Sequence, residues 1–135
     1  MATPTEVIKT VQIGQYGQTT FTATWATTDN YADEVVVDLS GLTTYVNTVS
    51  VRKLQINASP GLGVLVEYNL STDEAVGMVA LGACTFERDF TKDCNGLETG
   101  LPQSSGAFNT GDIVVTTTSA AAADELCVVV DWFAT

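Results

Sequence analysis

Apolar and polar residues alternate along most of this chain, in short stretches separated by clusters of Gly, Asn, Asp and Pro. Within residues 19–25, Phe21, Ala23 and Trp25 share one face of an extended chain, and threonines occupy the other. A period of two is typical of a β-strand that buries one face. The pattern predicts nine strands, at residues 7–13, 19–26, 34–39, 48–58, 62–70, 75–81, 84–90, 112–118 and 125–133.

No stretch has a helical period of useful length, so the pattern predicts an all-β protein. Regularly spaced short strands are typical of an antiparallel β-sandwich, and we expect a jelly-roll-like sandwich of eight or nine strands. The length of 135 residues fits one domain, residues 1–135, with residues 1–6 as a candidate N-terminal arm. We expect the core between the sheets to contain Phe21, Trp25, Val64, Val66, Phe86 and Val128.

The strand at residues 48–58 changes phase in its middle. Its first apolar positions end at Val51 and the next begin at Leu54, so Arg52-Lys53 inserts one extra residue into the alternation. This predicts a β-bulge. The bulge is either a solvated bend or a binding site, since it carries two of the five Lys and Arg residues.

The strand at residues 125–133 is apolar on both faces. One face carries Leu126, Val128, Val130 and Trp132, and the other carries Cys127, Val129 and Phe133. A second apolar face must meet something other than bulk water. Either this strand is central and covered by the chain's own loops, or its outer face contacts another subunit.

The longest segment without strand character is residues 91–111. Long irregular loops are uncommon and are usually functional or mobile. Leu97, Leu101 and Phe108 are the large apolar residues that would anchor this loop, either to the core or to a neighbouring molecule.

The net charge indicates which classes of partner the protein could bind. Sixteen Asp and Glu residues oppose five Lys and Arg residues, which gives a formal net charge of −11. Because nucleic-acid affinity depends largely on neutralising phosphates with cations, we expect no nucleic-acid partner. No run approaches the roughly 18 apolar residues of a membrane-spanning helix, so we expect no membrane partner. The acidic surface suits simple solvation, a basic protein surface or a hard cation.

The sequence contains no His, so neither a Ser-His-Asp nor a Cys-His arrangement can form. Glu67 could pair with Glu87 or Asp89 as two catalytic carboxylates do in glycosidases. The alternation places all three on outward faces, where an acidic residue is the ordinary choice. We therefore expect a protein that is not an enzyme, with no catalytic residue and no cofactor.

Cys84, Cys94 and Cys127 lack the close spacing of zinc ligands, so we expect no transition-metal site. Free thiols are the favoured interpretation, and a Cys84–Cys94 disulfide is the alternative. Two acidic loops, 29–34 and 73–74, offer oxygen ligands to calcium, but neither has the spacing of an EF-hand. Solvated turns explain both loops better, and we expect no bound metal.

A second class of function rests on aromatic residues. Tyr16, Tyr31 and Tyr45 fall in or near predicted loops and could stack against sugars, as in a carbohydrate-binding sandwich. Three scattered tyrosines make a weak platform, and the other large aromatics alternate with core positions.

A family likeness rests on the segments DLSGL (Asp38–Leu42), TVSVRKLQINASPGLGVLVEYNLSTDEAVGMVAL, NGL (Asn95–Leu97) and GDIVVTTT (Gly111–Thr118), followed by the last apolar strand. In this layout, residues 35–133 resemble small β-sandwich virion proteins of tailed bacteriophages, of the kind that decorate or cement a capsid. The resemblance implies a structural protein that binds the major capsid protein or another virion protein. It also implies self-association, often as a trimer, and assigns no functional residue.

The expected function is therefore that of a capsid decoration or cement protein, which binds and stabilises the assembled shell. The alternatives are a head–tail or tail structural component, and a carbohydrate-binding sandwich of a fibre. Residues 1–10 lack the basic start and apolar stretch of a secretory signal, so we expect assembly in the host cytoplasm and location on the virion. The residues expected to contact partners are Thr3, Val7, Ile8, Leu97, Leu101, Phe108, Val129 and Phe133.

Overall fold

The computed structural model describes residues 4–42, 44–45, 47–70, 73–79, 84–93, 100–101 and 108–135. These residues form nine strands: β1 (Thr5–Ile13), β2 (Tyr16–Thr24), β3 (Glu34–Val37), β4 (Val49–Ala58), β5 (Gly63–Leu70), β6 (Glu74–Val79), β7 (Thr85–Asp89), β8 (Phe108–Thr118) and β9 (Glu125–Ala134). A 3₁₀ turn (Leu39–Gly41) and one helical turn, α1 (Phe90–Asp93), complete the described elements. None of these helical elements has the length or apolar character needed to cross a bilayer.

The strands form two antiparallel sheets, so the predicted all-β sandwich is confirmed. The five-stranded sheet has the order β1-β2-β9-β4-β7, and the four-stranded sheet has the order β3-β8-β5-β6. Apart from β1, the chain pairs as a nested hairpin: β2 with β9, β3 with β8, β4 with β7 and β5 with β6. Such a hairpin, rolled over two facing sheets, is a jelly roll.

Two strands, β2 and β8, begin three or more residues earlier than the pattern predicts. The sequence predicts a turn over residues 14–18, but the turn is only Gly14-Gln15, because Tyr16 already pairs with Ile13. Gly14 has φ +61°, as the first central residue of a type II′ hairpin turn requires. β8 begins at Phe108, opposite Leu70, inside the segment that the sequence predicts to be irregular.

The core lies between the two sheets. Five of the six predicted core residues are at most 3% exposed, namely Phe21, Trp25, Val64, Val66 and Val128. Phe86 also packs against the core, but it is only partly buried. β7 is the edge of its sheet, so none of the described strands pairs with it on the side away from β4.

The largest fully buried side chain is Trp132 on β9. Its indole Nε1 donates a hydrogen bond to Thr19 Oγ1 at 3.1 Å, so the polar atom of the ring is satisfied inside the core. Gly17 lies beneath the ring, because a Cβ built at this position would be 2.1 Å from Trp132 Cζ2. Any side chain at position 17 would therefore force the Trp132 ring to move.

The predicted bulge in β4 is confirmed. The register of β4 against β9 shifts between Val51 and Lys53, so Arg52 is the extra residue. Val51 and Leu54 consequently both face the core, although three positions separate them. β9 itself is central, between β2 and β4, and its outer residues Val129 and Phe133 are half-buried.

Candidate interaction surface

Exposed apolar side chains concentrate at one edge of the five-stranded sheet. The described residues include seven exposed large apolar side chains, and five of these belong to β1 or to the first residue of β2: Val7, Ile8, Val11, Ile13 and Tyr16. Val11 and Ile13 are 65% and 78% exposed. Exposed apolar side chains grouped on one strand mark contact sites more often than scattered ones do, although Lys9 separates Val7 from the others on this face.

Four of the exposed residues share the outer face of the sheet with Phe133. Directly opposite residues on antiparallel strands point to the same side, and the buried residues Phe21 and Ala23 fix which side of β2 is the inner one. We call Val7, Val11, Ile13, Tyr16 and Phe133 the apolar stripe. Ile8 points the other way, towards the gap between β1 and β3.

One end of the stripe is a cluster of three stacked side chains. The rings of Tyr16 and Phe133 lie 5.2 Å apart, edge to face, with an interplanar angle of 64°. The Arg52 guanidinium lies over the Tyr16 ring, 4.8 Å from its centroid. Because Arg52 is the bulge residue, the break in the β4 alternation places this cation on the outer face next to the stripe.

A polar row crosses the same face beside the stripe. The paired residues Gln18, Asp131, Lys53 and Asp89 follow one another from β2 to β7. Gln18 Nε2 donates to Asp131 Oδ1 at 2.7 Å, and Lys53 Nζ lies 3.8 Å from Asp89 Oδ2. The hydrogen bond from Thr91 is the main cause of a lowered Asp89 pKa, and the Lys53 charge adds to it. The outer face thus combines the apolar stripe with the polar row.

Three carboxylates meet on the other sheet. Oxygens of Asp33, Glu67 and Asp73 lie within 4.8 Å of one another. Burial is the main cause of a raised Glu67 pKa, and the charges of Asp73 and Asp33 raise it further. Oxygen donors suit hard cations such as Ca²⁺. The structure thus joins one residue from each predicted acidic loop, but the expectation of no bound metal stays a prediction.

A second acidic group lies at the open edge between the two sheets. The Tyr31 side chain is buried against Phe21 and Trp25, and its hydroxyl has no hydrogen-bond partner in the described part of the chain. The Glu6 carboxylate lies close enough to act on this hydroxyl. Burial raises the pKa of Tyr31, and Glu6 raises it further. Burial and the neighbouring Glu6 also raise the pKa of Glu34.

The predicted contact residues fall into separate places. Val7 and Ile8 are exposed on β1, whereas Val129 and Phe133 are half-buried on the outer face of β9. Leu101 is held by main-chain hydrogen bonds, because its N–H donates to the Val51 carbonyl at 2.8 Å. Leu101 also packs against the core. Of the two anchors considered for this loop, the core is therefore the one that Leu101 contacts.

Other predicted positions lie outside the described residues. These are Thr3, Leu97 and Cys94, and the side chain of Phe108. The alternatives for Cys84 and Cys94 therefore stay open. Glu67 lies on β5 of the four-stranded sheet, while Glu87 and Asp89 lie on β7 of the five-stranded one, so these carboxylates do not face each other across one sheet.

Val11 ends the segment Thr3–Val11 that is expected to make contacts, whereas Ile13 is not among the expected contact residues and Tyr16 is expected only as a sugar-stacking ring. The signal was present in part, because Val7, Val11 and Ile13 share one phase of β1. What the alternation does not reveal is that β1 is an edge strand whose outer side is uncovered.

No family model, curated protein or solved structure matches this chain. The likeness to phage virion proteins therefore rests on the sequence segments alone.

Proposed function

We propose that this protein is a non-enzymatic structural protein of a tailed-bacteriophage virion, and that it decorates or cements the assembled capsid. The observation that carries the proposal is the apolar stripe, which is exposed on a sheet rather than on loops. The apolar stripe with the polar row beside it suits binding to the surface of another protein, since protein interfaces combine an apolar centre with a polar rim.

The fold adds support at the level of analogy. Jelly rolls occur in viral capsid proteins and in lectins, so the architecture agrees with a virion protein and with a sugar-binding one. The side chains on the surface must therefore decide between a virion protein and a sugar-binding protein.

The aromatic residues disfavour the sugar-binding alternative. Trp25, Tyr31, Tyr68 and Trp132 are buried and offer no ring to a ligand. Tyr16 is exposed, but Arg52 covers one face of its ring and Phe133 contacts it edge-on. Tyr45 is the remaining exposed tyrosine of the described chain, and one ring makes no stacking platform.

Under this proposal, the partner is the major capsid protein or another virion protein, and the chain assembles in the host cytoplasm before it joins the particle. A head–tail or tail position would use the same surface, so location on the particle separates the two. Electron cryomicroscopy of particles with and without the protein should show added density over the capsid face. Density at the neck, tail or fibre alone would contradict the decoration assignment.

Co-sedimentation with capsids that lack this protein tests the surface directly. Ile13→Lys places a charge in the apolar stripe without touching the core, since Ile13 is 78% exposed. Met78→Lys is the matched control, because Met78 is 61% exposed on the opposite sheet. We expect the Ile13 variant to lose binding at limiting concentration and the Met78 variant to bind like the wild type. Equal binding of all three proteins would remove the stripe from the interface.

A further inference from the structure

The edge strands β1 and β3 leave a cleft open between the two sheets. Ile8 marks the opening, because it lies opposite the buried Phe21 on the inner face of β1 and is nevertheless 42% exposed. Glu6, Tyr31 and Glu34 line one end of this cleft, and we call that end the acidic cleft. Its volume of about 430 Å³ leaves room for a side chain from another molecule.

Two carboxylates point into the acidic cleft from different sheets. Glu6 of β1 lies opposite Ala23, and Glu34 of β3 lies opposite Val115. Ala23 and Val115 both belong to the core, and directly opposite residues of antiparallel strands point to the same side of a sheet. Burial raises the pKa of Glu34, and the charge of Glu6 raises it further. The two acidic groups are therefore close enough to repel each other.

The third polar group of the acidic cleft is the Tyr31 hydroxyl. Tyr31 is 6% exposed, and its hydroxyl has no hydrogen-bond partner among the described residues. Buried polar atoms are nearly always hydrogen-bonded, so a buried atom without a partner points to a ligand. Burial is the main cause of a raised Tyr31 pKa, and both Glu6 and Glu34 add to it. The hydroxyl thus lies beside both carboxylates.

The cationic side chains of this chain lie elsewhere. All of its lysines and arginines belong to the described residues, and they are Lys9, Arg52, Lys53, Arg88 and Lys92. Lys9 points to the outer face of β1, in the same phase as Val7. The other four belong to β4, β7 and α1, which β2 and β9 separate from β1. No lysine or arginine of the chain therefore neutralises the acidic cleft.

We propose that the acidic cleft binds the ammonium group of a lysine side chain supplied by a partner protein. An ammonium group has three N–H donors and no acceptor, and the cleft offers it two carboxylates and one hydroxyl oxygen. The Tyr31 hydroxyl accepts from the ammonium group and keeps its own proton to donate to Glu6. The aliphatic part of the lysine lies along Ile8 and Leu42, which line the continuation of the cleft. The net charge of −11 favours a basic partner surface.

Other cations fit the acidic cleft less well. Ca²⁺ takes about six to eight oxygen ligands, and the carboxylates of this cleft are not among the three that converge within 4.8 Å in the described chain. An arginine guanidinium is a planar fork that matches the two oxygens of a single carboxylate. Glu6, Tyr31 and Glu34 instead approach from β1, from the segment between β2 and β3, and from β3. Three acceptors on separate segments suit the tetrahedral ammonium group.

NMR titration of the purified protein at pH 7 with Nα-acetyl-lysine methylamide tests the site. We expect saturable shifts of the backbone amides of Glu6, Tyr31 and Glu34, and no such shifts with the Nε-acetylated probe, which lacks the charge. Glu34→Gln should weaken binding about tenfold, because it removes one charge-assisted hydrogen bond. Glu87→Gln is the matched control, since it removes the same charge from an exposed position of β7 and should bind like the wild type.

This inference does not rest on the capsid assignment, because Glu6 points inward from β1 while the apolar stripe lies on the outer face. Ile13→Lys should therefore bind the lysine probe like the wild type, whatever its effect on capsid binding.

Tyr31→Phe separates a built site from general attraction to an acidic protein. It leaves the net charge unchanged, so a loss of about threefold in affinity reports the hydroxyl contact itself. Equal affinity of the wild type for the charged and the acetylated probe would overturn the proposal, and so would unchanged affinity in Glu34→Gln or in Tyr31→Phe. Tighter binding of the corresponding arginine probe, or displacement of the lysine probe by calcium chloride at lower concentration, would overturn the choice of ligand.

Discussion

The indole of Trp132 lies directly against the main chain of Gly17, with no space for a side chain between them. This contact joins β2 to the central strand β9 and closes the inner face of the five-stranded sheet beneath the exposed apolar stripe. The surface proposed to bind partners is therefore supported by one of the tightest contacts in the described core.

Gly17→Ala should lower the free energy of unfolding by about 1–3 kcal/mol, because the added methyl group forces a fully buried ring to move. Urea denaturation measures the change. Gly41→Ala is the control, since the nearest atom to its added Cβ is 3.8 Å away. If both alanine variants unfold at the wild-type midpoint, the packing described around Trp132 is incorrect.

Removing the hydroxyl of Tyr31 and of Tyr68 should have opposite effects. Tyr31→Phe deletes a buried hydroxyl that has no hydrogen-bond partner among the described residues, and it should be neutral or stabilise the fold by up to about 1 kcal/mol. The Tyr68 hydroxyl accepts from the Val51 N–H at 2.8 Å and donates to the Leu101 carbonyl at 2.5 Å. Tyr68→Phe should therefore destabilise by about 1–3 kcal/mol. Thermal unfolding of the two variants should shift in opposite directions, and a common direction would contradict the assignment.

Glu34 should make stability depend on pH. Burial and the nearby Glu6 raise its pKa in the folded state, so the native protein keeps this proton to higher pH than the unfolded chain does. Its contribution to stability is therefore lost as the pH rises from the ordinary carboxyl range through the raised pKa. Glu34→Gln should stabilise the protein at neutral pH. It should change little at about pH 3, where Glu34 is protonated in both the folded and the unfolded chain.

Chemical denaturation of Glu34→Gln at the two pH values measures this difference. Glu87→Gln, at an exposed position of β7, is the matched control and should have little effect at either pH. A Glu34→Gln gain that is as large in acid as at neutral pH would show that charge is not the cause.

Truncation of two phenylalanines should separate central from edge strands. Phe21→Ala, on β2, removes a fully buried ring and should cost about 3–5 kcal/mol. Phe86→Ala, on β7, removes a partly buried ring and should cost about half as much, since less of the ring leaves an apolar environment. Equal losses in urea denaturation would indicate that Phe86 is covered by residues outside the described part of the chain.

Local pattern was sufficient for much of this fold. The alternation identified all nine strands, and the phase change between Val51 and Leu54 located the bulge at Arg52. Both are properties of a few consecutive residues, because the side-chain period of a strand depends only on its own backbone. The early start of β2 was missed since Tyr16, Gly17 and Gln18 resemble a turn in composition.

The apolar stripe depends on how strands from distant parts of the chain pair. The alternation of apolar and polar residues does not predict that pairing. Val11 and Ile13 are exposed because β1 lies at the edge, and Phe133 becomes part of the same face because β9 pairs with β2. The carboxylates of Asp33, Glu67 and Asp73 likewise meet only through the pairing of β3, β5 and β8. Residue identity predicted the chemistry of these groups, and topology decided which of them meet.

The nested pairing of the strands also has a consequence for the order of folding. β9 fills the place between β2 and β4, so those two strands have no contact with each other until Glu125–Ala134 is available. The β5–β6 pair forms between neighbours in the chain, while the β2–β9 pair must close the 100 residues between Thr24 and Glu125. A topology dominated by such long-range closures folds slowly. In a nascent chain on the ribosome, β2 could pair only with β1 and β4 only with β7, and the five-stranded sheet would form only after β9 had emerged.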